Sequence, residues 1–414
     1  MLHIPPGRVD GRIVAPASKS DGQRALAAAS LTRGRSVIAG CTSSADTDAA
    51  RAAIEALGAR VDTDGRTVVV HGWDREPGTR VDCGESGLAL RMFAPIAAVH
   101  DREITLDGRG TLRSRPVGMV EDALRSLGAS CRSEQGRVPL AVRGPLRGGS
   151  VTVDGSVTSQ HVTGLLFALP LASIDSRIVV DRATSRPYLA MTLRTLRAWG
   201  IAADASDDLS RFSVPGGQQY RPTHYEVEGD WSSASCLLVA GATAGRVAIG
   251  NLDPGSPQAD GAILDVLKAA GALVRIEGHT VTVQQGDLRA FEFDAAEAPD
   301  LVPALVALAC CCAGTSRIAG IRRLRHKESD RVSALLELFA GLGGEISTDD
   351  DSFVVTGRPL RGGFANAHHD HRMAMAASVA ALRSELGVTI DDPACVGKSY
   401  PHFFDDLEAL GVQR

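Results

Sequence analysis

The chain has 414 residues, 44 Lys plus Arg against 49 Asp plus Glu, and a net charge of −5. That length is too great for one hydrophobic core and predicts two or three domains. An acidic balance with only 4% aromatic residues argues against a nucleic-acid partner, which would favour basic patches and stacking rings.

The N-terminal segment "MLHIPPGRVDGR" contains no apolar stretch of the kind a signal peptide needs. Along the chain, the longest uncharged apolar run is "LVPALVALACCCAG" (301–314), short of the roughly 18 residues of a membrane span. Eight cysteines include no CxxC pair, and Cys310, Cys311 and Cys312 sit in that apolar run, so they read as reduced core thiols. A soluble cytoplasmic protein is expected, with no membrane partner and no metal. "HHDH" (368–371) has no second cluster of ligands to complete a metal site.

Six segments share one pattern. "ARAAIEALGA", "VEDALRSLGA", "TLRTLRAWGI", "ILDVLKAAGA", "LLELFAGLGG" and "FFDDLEALGV" each combine apolar residues at i, i+3 and i+4 with a terminal glycine. The glycines are Gly58, Gly128, Gly200, Gly271, Gly343 and Gly411, spaced by 70, 72, 71, 72 and 68 residues. Each segment predicts an amphipathic helix with a left-handed cap. Between them runs a second series of helices that are apolar nearly all round, such as "SGLALRMFAPIAAV" and "DLVPALVALACCC". Helices of that kind belong inside a domain, with sheets outside them. Six repeats of strands and two helices fill the chain.

The inner helices start in polar residues, and a helix N-terminus presents free N–H groups that suit anions. The side chains at these starts are therefore candidates: Lys19, Ser20 and Arg24; Gly87 and Arg91; Thr158, Ser159 and Gln160; Asp230 and Ser232; Asp300; Asp370, His371 and Arg372. "GRGTLRSRP" (108–116) lacks the Walker pattern, and no dinucleotide fingerprint occurs, so no cofactor is expected.

"PASKSDGQRAL" (16–26), "GSVTSQ" (155–160), "SRPY" (185–188), "VEGDWSSAS" (227–235), "HKESDR" (326–331), "DHRMAMA" (370–376) and "GKSYPHFFDDL" (397–407) together resemble the 3-phosphoshikimate 1-carboxyvinyltransferase (EPSP synthase) family. The resemblance implies an α/β enolpyruvyl transferase fold, with two similar domains each of three βαβαββ repeats, helices inside and sheets outside. It implies one domain of residues 1–17 plus 228–414 and another of 18–227, with hinges near Ala17–Ser18 and Val227–Gly229. The active site would lie in a cleft between them that closes on its ligands.

The implied reaction moves the enolpyruvyl group of phosphoenolpyruvate to the 5-hydroxyl of shikimate 3-phosphate. By match to the family, Lys19, Ser20, Arg24, Thr158, Ser159, Gln160, Ser185, Asp300 and Lys327 would hold shikimate 3-phosphate. Lys19, Gly87, Arg91, Gln160, Arg331, Arg372 and Lys398 would hold phosphoenolpyruvate. Asp300 resembles the base for the hydroxyl proton, and Glu328 with Lys19 the pair that moves protons on the methylene carbon. In "RHKESDR" (325–331), Lys327, Glu328 and Arg331 would serve the site, and Arg325 and Asp330 would be structural. A monomer is expected.

Three departures stand out. Glu85 and Leu88 replace the family's polar neutral residue and Thr in "ESGLALR", and Thr111 stands where the family commonly has an arginine for phosphoenolpyruvate. Two-residue alternation in an extended loop makes Arg113, ahead of Arg109, the expected replacement. Lys19, Arg24, Arg91, Lys327, Arg331, Arg372 and Lys398 against Asp300 and Glu328 give a local charge of +5, which anions would neutralise. The sister family that acts on UDP-N-acetylglucosamine carries a reactive Cys where this chain has Gly110. A repeat protein that only bound anions would not need Asp300 and Glu328.

Overall fold

The computed structural model describes residues 1–413. The chain divides into two compact units, Lys19–Val227 and Met1–Ser18 with Glu228–Arg414. Among the described residues, twelve α-helices, six to a unit, follow in chain order. They are α1 (Lys19–Ser30), α2 (Ala45–Ala56), α3 (Gly87–Ala97), α4 (Gly118–Ser126), α5 (Gln160–Ala168) and α6 (Arg186–Ala198) in the first unit. The second holds α7 (Trp231–Ala244), α8 (Ile263–Ala269), α9 (Val302–Cys310), α10 (Arg331–Gly341), α11 (His371–Ala381) and α12 (Phe403–Ala409).

Each unit has three sheets built to one plan. A parallel pair is joined by an inner helix, an outer helix follows, and an antiparallel hairpin completes the sheet. In one repeat Arg80–Asp82 pairs in parallel with Ile104–Asp107 across α3, and the hairpin Ser130–Glu134 and Arg137–Arg143 follows α4. Gly149–Asp154 with Ser176–Asp181, and Glu292–Asp294 with Thr315–Ala319, repeat the parallel step across α5 and α9. The first repeat of the unit Lys19–Val227 borrows its parallel strand, His224–Glu226, from the far end of that unit. In the other unit Val9–Val14 supplies the parallel partner of Gly245–Gly250. Leu2–Ile4 then closes the last sheet, which has three strands rather than four.

Burial follows the repeat. Every residue of α7, α9 and α11 is buried, so these helices form the core of their unit. The outer α2 buries one stripe, which includes Thr47, Ala50 and Ile54, at helical spacing. All six repeat glycines have positive φ, from 74° at Gly200 to 101° at Gly58. Gly58 shows why no side chain fits: a Cβ would lie 2.3 Å from the Arg75 carbonyl oxygen. All eight cysteine thiols are free. No described helix is long and apolar enough to cross a membrane.

Inner helices α3 and α5 approach closely at Gly164, where a Cβ would meet the Arg91 and Met92 carbonyl oxygens at 2.7 Å. Backbone cannot move aside as a side chain end can, so Gly164→Ala must push the helices apart. We expect a loss of about 1–3 kcal/mol, typical of an overfilled core, read as a lower thermal midpoint. Gly118→Ala, which enters open space, should leave the midpoint unchanged within a degree or two.

Candidate functional site

In the unit Lys19–Val227 the starts of the three inner helices are tied together by side chains. Gln23 of α1 donates to Ser86 Oγ at 3.4 Å, and Ser86 caps α3 by accepting from Ala89 N. Arg91 of α3 donates to Gln160 Oε1 at 2.9 Å in the first residue of α5, and to the Pro116 carbonyl at 3.1 Å. Thr158 Oγ1 accepts from Gln160 N at 3.2 Å, which fixes the turn that also carries Ser159. Ser185 precedes α6 in the left-handed region, with φ 53°.

Lys19 sits 3.0 Å from Asp46 Oδ2. Arg24 is 1% exposed and donates to Thr192 Oγ1 and to the carbonyls of Ser20 and Tyr188, with Thr163 Oγ1 at 3.4 Å. Burial lowers its pKa to about 10, against the pull of Asp21, and it stays charged at neutral pH.

Gly87 opens α3 beneath a group of polar ends: a Cβ there would lie 2.8 Å from Arg115 Nη1 and 3.0 Å from Arg91 Nη1. Arg115 was not singled out by the sequence, and it is the arginine this loop brings to the group. Arg113 is not. Its Nε donates to the Gly108 carbonyl at 2.9 Å, its Nη2 lies 3.7 Å from Asp107, and its side chain is 66% exposed. Arg109 pairs with Asp82 at 3.0 Å. The expected alternation fails because Gly110–Ser114 winds into a 3-10 turn, where residues two apart do not share a side. Gly110 has φ 54°, and a Cβ on it would meet the Glu85 carboxylate at 2.2 Å, so a Cys is doubly disfavoured there.

The second unit solves the same problem with carboxylates. Its inner helices start at Asp230, which caps α7 by accepting from Ser233 N; at the turn Pro299–Leu301, which carries Asp300; and at Asp370, which caps α11 by accepting from Arg372 N. Arg331, in the first turn of α10, is 1% exposed. Asp370 grips it in a two-pronged contact of 2.7 and 3.1 Å, Asp300 accepts at 2.7 Å and Glu328 at 2.8 Å. Burial alone would lower the Arg331 pKa; Asp370, Glu328 and Asp300 outweigh it and raise the value. For Asp370 the balance runs the same way: burial opposes its charge, but Arg331 and His371 hold its pKa below the usual carboxylate range.

Asp300 also lies 3.3 Å from Lys327 Nζ and 3.6 Å from Arg372 Nε, so one carboxylate touches three cations. Burial lowers the Lys327 pKa, with Asp300 pulling the other way. Arg372 holds Ser232 of α7 through its hydroxyl and carbonyl oxygens. Lys398 ends the half-buried 3-10 turn Pro393–Lys398. Arg325 and Asp330 pair with each other at 3.4 Å, and Asp330 caps α10. His368 pairs with Glu337 and His369 with Asp392, so the histidine run serves separate carboxylates.

The expected surplus of positive charge is smaller in the structure. Asp46 faces Lys19, Asp370 faces Arg331, and Asp260 acts on Arg372, three buried carboxylates that the charge count omitted. Asp370 was visible as a helix start, but its hold on a residue 39 positions away had no local signal.

Residues 4–407 match the family model described as EPSP synthase (3-phosphoshikimate 1-carboxyvinyltransferase). The 3-phosphoshikimate 1-carboxyvinyltransferase of Methanocorpusculum labreanum is 38% identical over 99% of this chain and 98% of its own. That of Halobacterium salinarum is 39% identical, with the same coverage of both chains. Among solved structures, an EPSP synthase from Acinetobacter baumannii superposes with a TM-score of 0.85 at 24% identity, over 99% of this chain and 98% of that one. The enolpyruvyl transferase NikO from Streptomyces tendae gives 0.79 at 18%, over 99% and 97%. At those identities the structures speak for the fold alone. The match along nearly the whole length, with relatives well above 30% identity, places the chain in the EPSP synthase (3-phosphoshikimate 1-carboxyvinyltransferase) family.

Proposed function

We propose that this chain transfers the enolpyruvyl group of phosphoenolpyruvate to the 5-hydroxyl of shikimate 3-phosphate and releases phosphate. Beyond family membership, the observation that supports this reading most is Asp300, one carboxylate shared by Arg331, Lys327 and Arg372. The reaction needs that combination. Cations must hold the phosphate and carboxylate of phosphoenolpyruvate, and a base must take the hydroxyl proton as the new C–O bond forms at C2.

A chemical order follows from the ion pairs. Arg331 and Arg372 present planar forks suited to carboxylate and phosphate. When substrate anions take up those forks, Asp300 and Glu328 lose their closest cations, and a carboxylate relieved of cations holds a proton more strongly. Asp300 then accepts the proton of the 5-hydroxyl. Glu328, with Lys19, delivers a proton to C3 and removes one as phosphate leaves, so the double bond is restored and protons balance. Ser20, Arg24, Thr158, Ser159, Gln160 and Ser185, with Lys327, would orient shikimate 3-phosphate. Gly87, Arg91, Gln160 and Lys398 would complete the phosphoenolpyruvate set, together with Arg115.

Phosphate release from phosphoenolpyruvate should occur only when shikimate 3-phosphate is present. Release without it, or with UDP-N-acetylglucosamine instead, would defeat the assignment. Asp300→Asn should lower kcat by at least about 100-fold, within the range for a lost general base. Its Kd for shikimate 3-phosphate should stay within about tenfold, or about 1.4 kcal/mol. Turnover near the wild-type rate would show that the base is elsewhere.

The two loop arginines separate cleanly. Arg115→Ala should raise the KM for phosphoenolpyruvate about tenfold or more, since a charge-assisted hydrogen bond contributes about 1.5–3 kcal/mol. Arg113→Ala should leave it within about twofold, because a half-exposed pair of this kind contributes about 0–1 kcal/mol. The reverse ranking would return the role to Arg113.

A further inference from the structure

Asp260 lies in the 3-10 turn Ala259–Ala262 ahead of α8, is 1% exposed, and has no part in the chemistry above. Its turn is anchored to the start of α7: Gln258 accepts from Trp231 N at 3.1 Å and donates to the Gly229 carbonyl at 2.8 Å. The carboxylate hydrogen-bonds Ser232, the second residue of α7. Ser232 in turn accepts from Arg372 at its hydroxyl, and at its carbonyl at 3.4 Å.

The direction of this chain is determined. A guanidinium only donates and a hydroxyl carries one proton. Ser232 Oγ accepts from Arg372, so its own proton is available for Asp260. The sequence therefore runs from N–H to O–H to carboxylate, and the negative end strengthens the bond to Arg372. Arg331 has a direct buried partner in Asp370; Arg372 has an indirect one in Asp260.

We propose that Asp260 is a positioning residue that acts through Ser232 to hold the Arg372 guanidinium in place for phosphoenolpyruvate. This rests on the assignment of Arg372 to that substrate. The groups that face Asp260 are Ser232 and Asp230 from α7, Asp300 from the turn before α9, and Arg372 from α11. Burial pushes its pKa up to about 6, with Asp300 adding to the shift and Arg372 opposing it.

A carboxylate whose pKa is higher folded than unfolded binds protons more strongly in the native state. Its ionised form above pH 6 therefore costs stability, and the cost disappears as pH falls from 6 toward 4. At neutral pH the fold keeps a buried negative charge that works against its own stability. A purely structural residue would not be expected to do so.

The test is Asp260→Asn, with Ser232→Ala as a second break in the same chain. At pH 7.5 both should raise the KM for phosphoenolpyruvate at least fivefold and leave that for shikimate 3-phosphate within twofold. The thermal midpoint of Asp260→Asn should be unchanged or higher. The ratio of its phosphoenolpyruvate KM to the wild-type value should shrink at pH 5.5, where wild-type Asp260 is largely protonated. Titration of the substrate itself affects both enzymes and cancels in that ratio. A lower midpoint with both Michaelis constants raised together would make Asp260 structural and overturn the proposal. Arg372→Gln separates the two layers. If it raises the phosphoenolpyruvate KM while Asp260→Asn and Ser232→Ala do not, the positioning role alone falls. If Arg372→Gln has no effect, the substrate assignment falls and the proposal with it.

Discussion

Arg331 is a guanidinium at 1% exposure, and the order of its half of the molecule depends on that charge having partners. Removing one partner of a buried pair costs about 3–5 kcal/mol, because the other charge is left uncompensated. Asp370 meets the demand with both oxygens, and its Oδ1 also accepts from Arg372 N to cap α11. One carboxylate thereby sets the first turn of α10 against the first turn of α11. Asp300 ties the turn before α9 into the same group, so the register of three helix starts follows from where one arginine can be neutralised.

The two units share a plan and differ in chemistry at the equivalent place. In Lys19–Val227 the buried arginines are held largely by neutral oxygens: Arg24 by threonine hydroxyls and backbone carbonyls, Arg91 by Gln160 and the Pro116 carbonyl. Such partners satisfy donors without cancelling charge, although Asp46 meets Lys19 and the buried Asp21 acts on Arg24, so the positive field at these helix starts is only partly offset. In the other unit the helix starts carry Asp230, Asp300 and Asp370, carboxylates of which Asp300 and Asp370 meet cations directly and Asp300 is the proposed base. The division fits a reaction that must first hold substrates bearing both a phosphate and a carboxylate and then move protons on them.

Much of this was legible in the sequence because it is periodic. A glycine every 68 to 72 residues marks the end of each outer helix, and runs apolar on every side mark the inner ones. Within "RHKESDR" the separation of Arg325 and Asp330 from Lys327, Glu328 and Arg331 also appears in the contacts. What the sequence did not disclose is pairing at long range. Asp260 reaches Arg372 only because a turn folds over the start of α7, and nothing within a few residues of either one signals it. That Arg115 joins the group at Gly87, and not the expected Arg113, turns on a single local conformation. An extended loop and a 3-10 turn point side chains two residues apart in different directions, and Gly110 in its left-handed conformation starts the turn.

Some of the backbone strain lies beside the candidate site residues. Ser185 begins α6 at φ 53°, and His368 and His369 adopt φ 50° and 53° immediately before Asp370. Each such residue costs about 1–2 kcal/mol relative to an ordinary conformation, and two in succession persist only where surrounding contacts enforce them. Those contacts are present: His368 meets Glu337 at 3.2 Å, His369 meets Asp392 at 2.7 Å, and Asn366 and Asp391 accept from the backbone of His368 and Ala367. Two left-handed residues in succession turn the chain directly into Asp370, which meets Arg331. The strain in residues 368–369 and the buried ion pair that follows are therefore one device, in which surface contacts hold a costly turn so that a carboxylate arrives where the core needs it.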